Sequence, residues 1–418
     1  MSERSFDDIC RRCAVTASSA MVLEVSASPK PGNVHRYRDF SDTCFEHFLL
    51  SSVSVLPVFE ETAETAVSFS DCPDNGNMNA SFVGKMILKA VSAGTSAQNG
   101  GNTHFGTFVL MVPLVAAAVT YAEDGTGKTD SAGKYDRAGK NDRGGKYDCA
   151  GKNDIDGKND EAGFPAGSGL TRMIAEKAAE ICRKTTSEDA FYFYGAFSVS
   201  GTAVQKTPDG EFDLSDPGSA ARIAETGKSL ISLMESAEER DLVAAEWVNG
   251  FQKSLLFSER LSFRYHHLKK YADEYICSDS RHTPALFGKS CINTAVLLTF
   301  TEFLAAFPDT FIITKQGKES AEEVCRKAGA VLSESGFPCR TGSVSGSWPG
   351  YPESFSGNSA EDPSEIYSPD NIRQFYEKLE KLDEEMAEKK QNPGSLADIC
   401  AAGLFLFLSA YENGGGKI

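Results

Sequence analysis

Apolar residues recur along most of this chain at the three- and four-residue spacing of an amphipathic helix. After Asp42, which carries the side chain of a helix N-cap, Phe45, Phe48, Leu49, Val53 and Leu56 follow that spacing. The same periodicity runs through 5–25, 80–94, 104–122, 169–185, 217–236, 241–257, 291–306, 319–335 and 371–388. In the last of these, Ile372, Phe375, Tyr376, Leu379, Leu382 and Met386 share one face and charges occupy the other, the pattern of an ordinary surface helix. Strand-like runs are few: Phe191–Val199 and Phe311–Thr314. The pattern predicts an all-α protein, a multi-helix bundle in which 1–122 and 166–418 form one domain around one core.

Two stretches break this texture. From Gly127 the chain repeats a hexad, with Gly-Lys recurring at 127, 133, 139, 145, 151 and 157 and an Asp two residues after each Lys. Between Glu123 and Pro165 there are eight Lys/Arg and ten Asp/Glu and almost no large aliphatic residue, so the segment cannot offset its ordering entropy by burial. A cation-binding repeat is one reading; a disordered surface insertion over 123–165 is the one the composition predicts. The second stretch, 341–370, is rich in Gly, Ser and Pro and predicts a long surface loop or lid.

A net charge of −17 with no block of Lys/Arg argues against general affinity for nucleic acid or an anionic membrane. The apolar runs Phe108–Val119 and Cys400–Leu408 are too short to span a bilayer, and the N-terminus lacks the apolar core of a signal peptide. The 11 cysteines follow no repeating spacing; Cys10-Arg11-Arg12-Cys13 is a solitary CxxC on a helical segment and weak evidence for a metal. A reducing cytoplasm is the expected setting.

Three polar strings lie where loops enter helices, the place where free backbone N–H groups favour phosphate. The first is Ser28-Pro29-Lys30-Pro31-Gly32-Asn33-Val34-His35-Arg36, followed by Asp39 and Asp42. Its prolines and glycine fix a tight path for Lys30, His35 and Arg36, and the carboxylates behind them suit a magnesium nucleotide. Asp42 and Glu46, four apart, would share one helix face and add hard oxygens to that site; the plainer alternative is that Asp42 caps the helix and the basic residues are a solvated loop. The second string is Asn102-Thr103-His104; either of the first two could cap the next helix, but a cap does not account for His104, placed where the helix dipole disfavours imidazolium. The third is Asn392-Pro393-Gly394-Ser395 with Asp398, which has an equally good structural reading as a Ser-x-x-Asp capping box.

In this order the strings resemble the triphosphoribosyl-dephospho-CoA synthase family, over roughly 15–410 of this sequence. The matching residues are Pro29-Lys30-Pro31-Gly32 with Arg36 and Asp39, then Asn102-Thr103-His104, then Asn392-Pro393-Gly394-Ser395 with Ala397 and Asp398. The resemblance implies an all-α transferase that moves the triphosphoribosyl group of ATP to the ribose 2′-hydroxyl of 3′-dephospho-CoA and releases adenine. On that reading we assign Lys30, His35 and Arg36 to the triphosphate, Asp39 and Asp42 to Mg²⁺, and Asn102 and His104 to ribose or phosphate, with His104 also catalytic. Asp398 would be the base or a second metal ligand, Asp39 a further catalytic carboxylate, and Asn33, Thr103, Asn392, Gly394 and Ser395 further substrate contacts. The partners implied are ATP and a CoA-like acceptor, with a homodimer as the assembly. Two positions depart from the family pattern: Phe105 stands where a Lys follows Thr-His, and Asp241-Leu242 is followed by Val-Ala-Ala-Glu where a His-Arg-Gly segment is expected. A related nucleotide hydrolase or transferase with another acceptor, and a non-catalytic nucleotide-binding relative, are the alternative functions.

Overall fold

A computed structural model describes residues 6–70, 81–122, 168–201, 218–278, 290–338, 366–413 and 416. Of the two stretches singled out as insertions, 123–165 and 341–365 lie outside these residues; 366–370, read as the end of the second loop, are described, with Tyr367 buried and Pro369-Asp370 opening a helix capped by Ser368. Among the described residues every regular element is a helix, and the one β-like feature is an isolated bridge between His35 and Arg38.

The chain begins with α1 (Phe6–Ser26), α2 (Phe45–Ser54), α3 (Leu56–Ser70), α4 (Phe82–Ser96) and α5 (Phe105–Ala122). The middle holds α6 (Ser168–Arg183), α7 (Ser187–Ser200), α8 (Ser219–Thr226), α9 (Leu230–Ala237), α10 (Leu242–Asn249) and α11 (Gln252–Ser278). It ends with α12 (Cys291–Ala306), α13 (Thr310–Gln316), α14 (Lys318–Ser333), α15 (Pro369–Glu388) and α16 (Gly394–Asn413). The core is built around α16 and α5. The last helix packs on α1, α5, α11, α12 and α6, while α5 also packs on α3, α6, α1 and α4. Both are apolar nearly all round, as a helix enclosed by others must be. By length and composition Gly394–Glu412 could cross a bilayer, with mean hydropathy 1.5, so the short run Cys400–Leu408 understates the helix. Its window is 72% buried inside the protein, the environment of a core helix.

The structure departs from the sequence pattern at several elements. Phe191–Val199 lies within α7: Thr186 and Asp189 form a capping box, and Phe193, Tyr194 and Ala196 are buried as α7 packs on α4. Tertiary burial here outweighs the strand propensity of an aromatic run. Phe311–Thr314 is likewise helical, because Asp309 Oδ1 accepts the Phe311 and Ile312 N–H groups at 2.8 and 3.1 Å and starts α13. The periodic stretches 217–236 and 241–257 each split into two helices, breaking at Gly227 and at Gly250-Phe251, where φ is positive.

Helix α2 is inverted relative to its apolar pattern. Ser51 and Ser52 are buried, whereas Leu50 and Val53 are 50% and 64% exposed. Asp42 does not cap it and lies outside it: Asp39 Oδ1 accepts the Phe45 N–H at 2.9 Å, and Cys44 N–H donates to His47 Nδ1. The shared helix face of Asp42 and Glu46 therefore does not exist.

Candidate active site

The first string leaves α1 through a cis Ser28-Pro29 peptide held from both sides by one side chain. Asn293 accepts from Ser28 N–H at 3.0 Å and donates to Ser28 O at 3.1 Å. Gly32 follows with φ +72°, and a Cβ there would lie 2.2 Å from Gln391 O and 2.8 Å from Met386 Cε. Only glycine tolerates both that backbone and that approach. The loop is thus pressed onto the junction of α15 and α16, where Asn33 Nδ2 donates to Asn392 Oδ1 at 2.6 Å. The Asn33 Oδ1 atom is buried and has no protein partner among the described residues.

Lys30 is buried rather than presented to solvent. Its ammonium pairs with the Glu24 carboxylate and donates to Glu24 O at 3.1 Å. Burial raises the Glu24 pKa, and the Lys30 charge opposes that shift. His35 is buried too, with Nε2 on Asp383 Oδ2 at 3.1 Å, while Arg36 is exposed.

The second string meets the first at two levels. At the surface, Gly101 N–H donates to Asp42 O at 3.3 Å, and His47 Nε2 lies 3.1 Å from Asn99 Oδ1. Asn102 Oδ1 accepts the Phe105 N–H at 3.1 Å and is the cap of α5; Asn102 itself is exposed and Thr103 half-buried. Beneath, His104 is enclosed, its ring 4.9 Å from that of Phe48 in an edge-on contact. Nδ1 sits 3.1 Å from Ser51 Oγ, and Nε2 is buried without a protein partner among the described residues. Burial, helped by the nearby Lys30 charge, pushes His104 down to about 3, so the ring is neutral. Phe105 is core: its ring lies 4.2 Å from Phe197 and 5.9 Å from Phe193, which holds α5 on α7.

The third string does not form a capping box. Ser395 Oγ accepts from Thr310 Oγ1 at 2.9 Å, and the buried Asp309 supplies the cap, its Oδ2 accepting the Leu396 N–H at 2.8 Å. Gly394 lies against the Phe311 ring. Asp398 turns instead to α5, accepting from Thr107 Oγ1 at 2.6 Å. A Cβ on Gly106 would lie 2.1 Å from Asp398 Oδ2, so the two helices close on this carboxylate. Burial, reinforced by the charges of Glu24, Asp241 and Asp309 and opposed by the Thr107 hydrogen bond, pushes Asp398 up to about 8. Asp309, likewise desolvated, is pushed up to about 7.

The three strings therefore converge. Asn33 bonds Asn392, Lys30 lies close enough to His104 to shift its titration, and Asp398 is held by the first turn of α5. Glu24, Ser51, Thr107, Asp309 and Asp383 join the site without having been singled out in the sequence. Glu24 and Asp383 did leave a signal. Glu24 extends the buried stripe Cys10, Ala14, Ala17, Met21, and Asp383 the stripe Tyr376, Leu379, Asp383, Met386, so each is an acid on an apolar face. The expected surface helix over 371–388 thus carries a buried anchor. Asp241, at the departure from the family pattern, has a structural role: its Oδ1 caps α10. Among the described residues no group of three or more His, Cys, Asp or Glu is placed to hold a metal ion.

An all-α core with a polar centre enclosed beneath three loop-to-helix junctions is the class of protein that this geometry defines. A model of the CitG family, ATP:dephospho-CoA triphosphoribosyl transferase, matches residues 10–347 and 361–416. The chain belongs to that family, and it is a transferase. Among solved structures, it is similar to an Archaeoglobus fulgidus protein provisionally described as a triphosphoribosyl-dephospho-CoA synthase. The two are 23% identical over 88% of this chain and 98% of that one, with a TM-score of 0.48. Comparison with curated proteins gave no match. The family's reaction carries the triphosphoribosyl group of ATP to dephospho-CoA, which is the activity expected from the three strings.

Proposed function

We propose that the convergence of the three strings is the place where this chain breaks the N-glycosidic bond of ATP and joins the ribose carbon to the 2′-hydroxyl of 3′-dephospho-CoA. The bond from the sugar carbon to adenine breaks, the bond to the incoming oxygen forms, the hydroxyl proton passes to a base, and the freed ring nitrogen of adenine takes up a proton from solvent as adenine leaves. Asp398 is that base. Its carboxylate is held by Thr107, and its raised pKa makes it a stronger proton acceptor than an ordinary carboxylate once ionised. Charge that develops on the ribose is stabilised by the same acidic centre. His104, neutral and with Nε2 uncommitted, donates to or accepts from a ribose hydroxyl or phosphate oxygen.

The triphosphate lies along the outer edge of the first string, against Arg36 and the exposed groups around Asn102 and Thr103. Lys30 acts from behind: its ammonium, committed to Glu24, keeps the buried centre charge-paired. Asn33, Asn392, Gly394 and Ser395 form the wall between the first and third strings, with Asn33 Oδ1 free to take a ligand hydrogen bond. Magnesium fits as an ion shared with the triphosphate. Asp39 and Asp42 are exposed hard-oxygen ligands beside the phosphate loop, and one or two carboxylates plus phosphate oxygens are what this ion usually takes. When bound it neutralises phosphate charge. A homodimer and a cytoplasmic setting belong to the same reading.

The observation that carries this proposal is that three separated strings are tied together in a chain of this family: Asn33 bonds Asn392, Lys30 lies near His104, and Asp398 is held by Thr107 in the first turn of α5. Incubation with ATP, Mg²⁺ and dephospho-CoA should release adenine in step with acceptor consumed. Adenine released equally well without acceptor would make water the acceptor, and no adenine with any CoA-like acceptor would overturn the reaction.

A further inference from the structure

The Asp383 carboxylate is buried, and among the described residues its hydrogen bonds come from a single short segment of chain. Oδ1 accepts the Gly32 N–H at 3.0 Å, and Oδ2 lies 3.1 Å from His35 Nε2 and 2.6 Å from Arg38 Nε. The other ring nitrogen of His35, Nδ1, accepts the Tyr37 N–H at 3.3 Å, which puts the imidazole proton on Nε2 and makes it a donor to Asp383. His35 and Arg38 also exchange backbone hydrogen bonds of 3.0 and 2.9 Å. Between them, Arg36 and Tyr37 project into solvent, Tyr37 with 78% of its surface exposed.

A turn that exposes both of its tip residues gains no burial to offset its ordering, so its rigidity must come from the base. We infer that Asp383 is a positioning residue for this turn, acting through Gly32, His35 and Arg38 to hold Arg36 where it meets the triphosphate. The inference rests on the reading of the first string as the triphosphate site. The three donors to Asp383 lie within the seven residues Gly32–Arg38, which carry the tip between His35 and Arg38. A carboxylate needed only to seat α15 would not require three donors from one substrate-facing loop. The apolar stripe Tyr376, Leu379, Leu382 and Met386 already seats that helix.

The test is Asp383→Asn in the full chain. The amide keeps the shape of the side chain but turns N–H groups either on Gly32 N–H or on the donors of His35 and Arg38. Adenine release should show KM for ATP raised about tenfold with kcat changed less than about threefold and KM for dephospho-CoA unmoved, the signature of lost binding rather than lost chemistry. In combination with Arg36→Gln the effects should fail to add, the double variant being no worse than Arg36→Gln alone. A folded Asp383→Asn with unchanged KM for ATP, or effects that add fully, would overturn the inference. Should Asp383→Asn not fold, Arg38→Met removes one of the three donors from a partly exposed position and should show the same KM pattern and non-additivity. If the wild-type protein binds MgATP yet releases no adenine, the reaction is wrong, and Asp383 is judged on the dissociation constant of MgATP instead. Absence of MgATP binding by the wild type overturns the reaction and the positioning role together.

Discussion

Asn33 and Asn392 stand 359 positions apart in the chain, and their side-chain amides share a hydrogen bond of 2.6 Å. That bond ties the first polar string to the third at the base of the site. Around it sit Gly32 with no room for a methyl group, the buried Asn33 oxygen with no partner among the described residues, and the junction of the last two helices. The chemistry expected of the site follows from what this junction encloses.

Asp398 gives the sharpest prediction for pH. A base must be ionised, so turnover should rise with pH along a limb set by a group near 8, with His104 contributing nothing above pH 5. Asp398→Asn should lower kcat by about 10²–10⁴-fold, the usual range for a general base, and remove the limb. A limb that falls with pH would make Asp398 the acid that protonates adenine.

Glu24 and Lys30 test whether the buried ammonium meets phosphate. Removing one partner of a buried pair leaves the other charge unmatched, at a cost of about 3–5 kcal/mol. Glu24→Gln and Lys30→Met should each lower the melting temperature strongly, and the double variant should recover most of the loss. If Lys30→Met instead melts normally and loses only ATP affinity, the side chain faces the nucleotide.

Gly32→Ala places a methyl group against Gln391 O and forces a left-handed backbone on an L-residue, at about 1–2 kcal/mol for the backbone alone. Thermal melts should show the destabilisation, and KM for ATP should rise with it, because the same contact seats the phosphate loop.

The buried acids also set how stability depends on pH. Asp309 and Asp398 are raised to about 7 and about 8, so the folded state holds protons that the unfolded chain has released. Their contribution is fully present below the ordinary carboxylate pKa of about 4 and is lost as pH rises through 7 and 8. The melting temperature should be lower at pH 8.5 than at pH 6, and Asp398→Asn should flatten that difference. An equal or higher melting temperature at pH 8.5 would refute the assignment.

Deletion of 126–162, the hexad stretch, should leave melting temperature and adenine release nearly unchanged, since its composition offers almost nothing to bury. Loss of folding would show that the repeat has a structural partner.

The helical class was legible because apolar periodicity runs through most of the chain, and the three strings because polar residues crowd against apolar helix starts. The roles within the strings were less visible. Lys30 looks like a phosphate ligand until Glu24 is found beside it, and Glu24 lies six residues back inside a helix, where an acid is ordinarily assigned to the wet face. Ser395 and Asp398 fit a local capping box so well that the true cap, Asp309, 87 residues upstream of Leu396, has no trace in local sequence. The aromatic run of α7 was ambiguous because strand and buried helix favour the same residues, and only its packing on α4 decides between them.

The anchoring of the first string by Asp383 and Asn392 has a consequence for biosynthesis. A nascent chain that has emerged only as far as α14 carries Arg36 and the loop around Gly32 but neither the carboxylate that braces them nor Asp398. On the proposed roles of Arg36 and Asp398, nucleotide capture and sugar chemistry would become competent together, when the last two helices dock. Fragments truncated before that point should be inert rather than wasteful consumers of ATP.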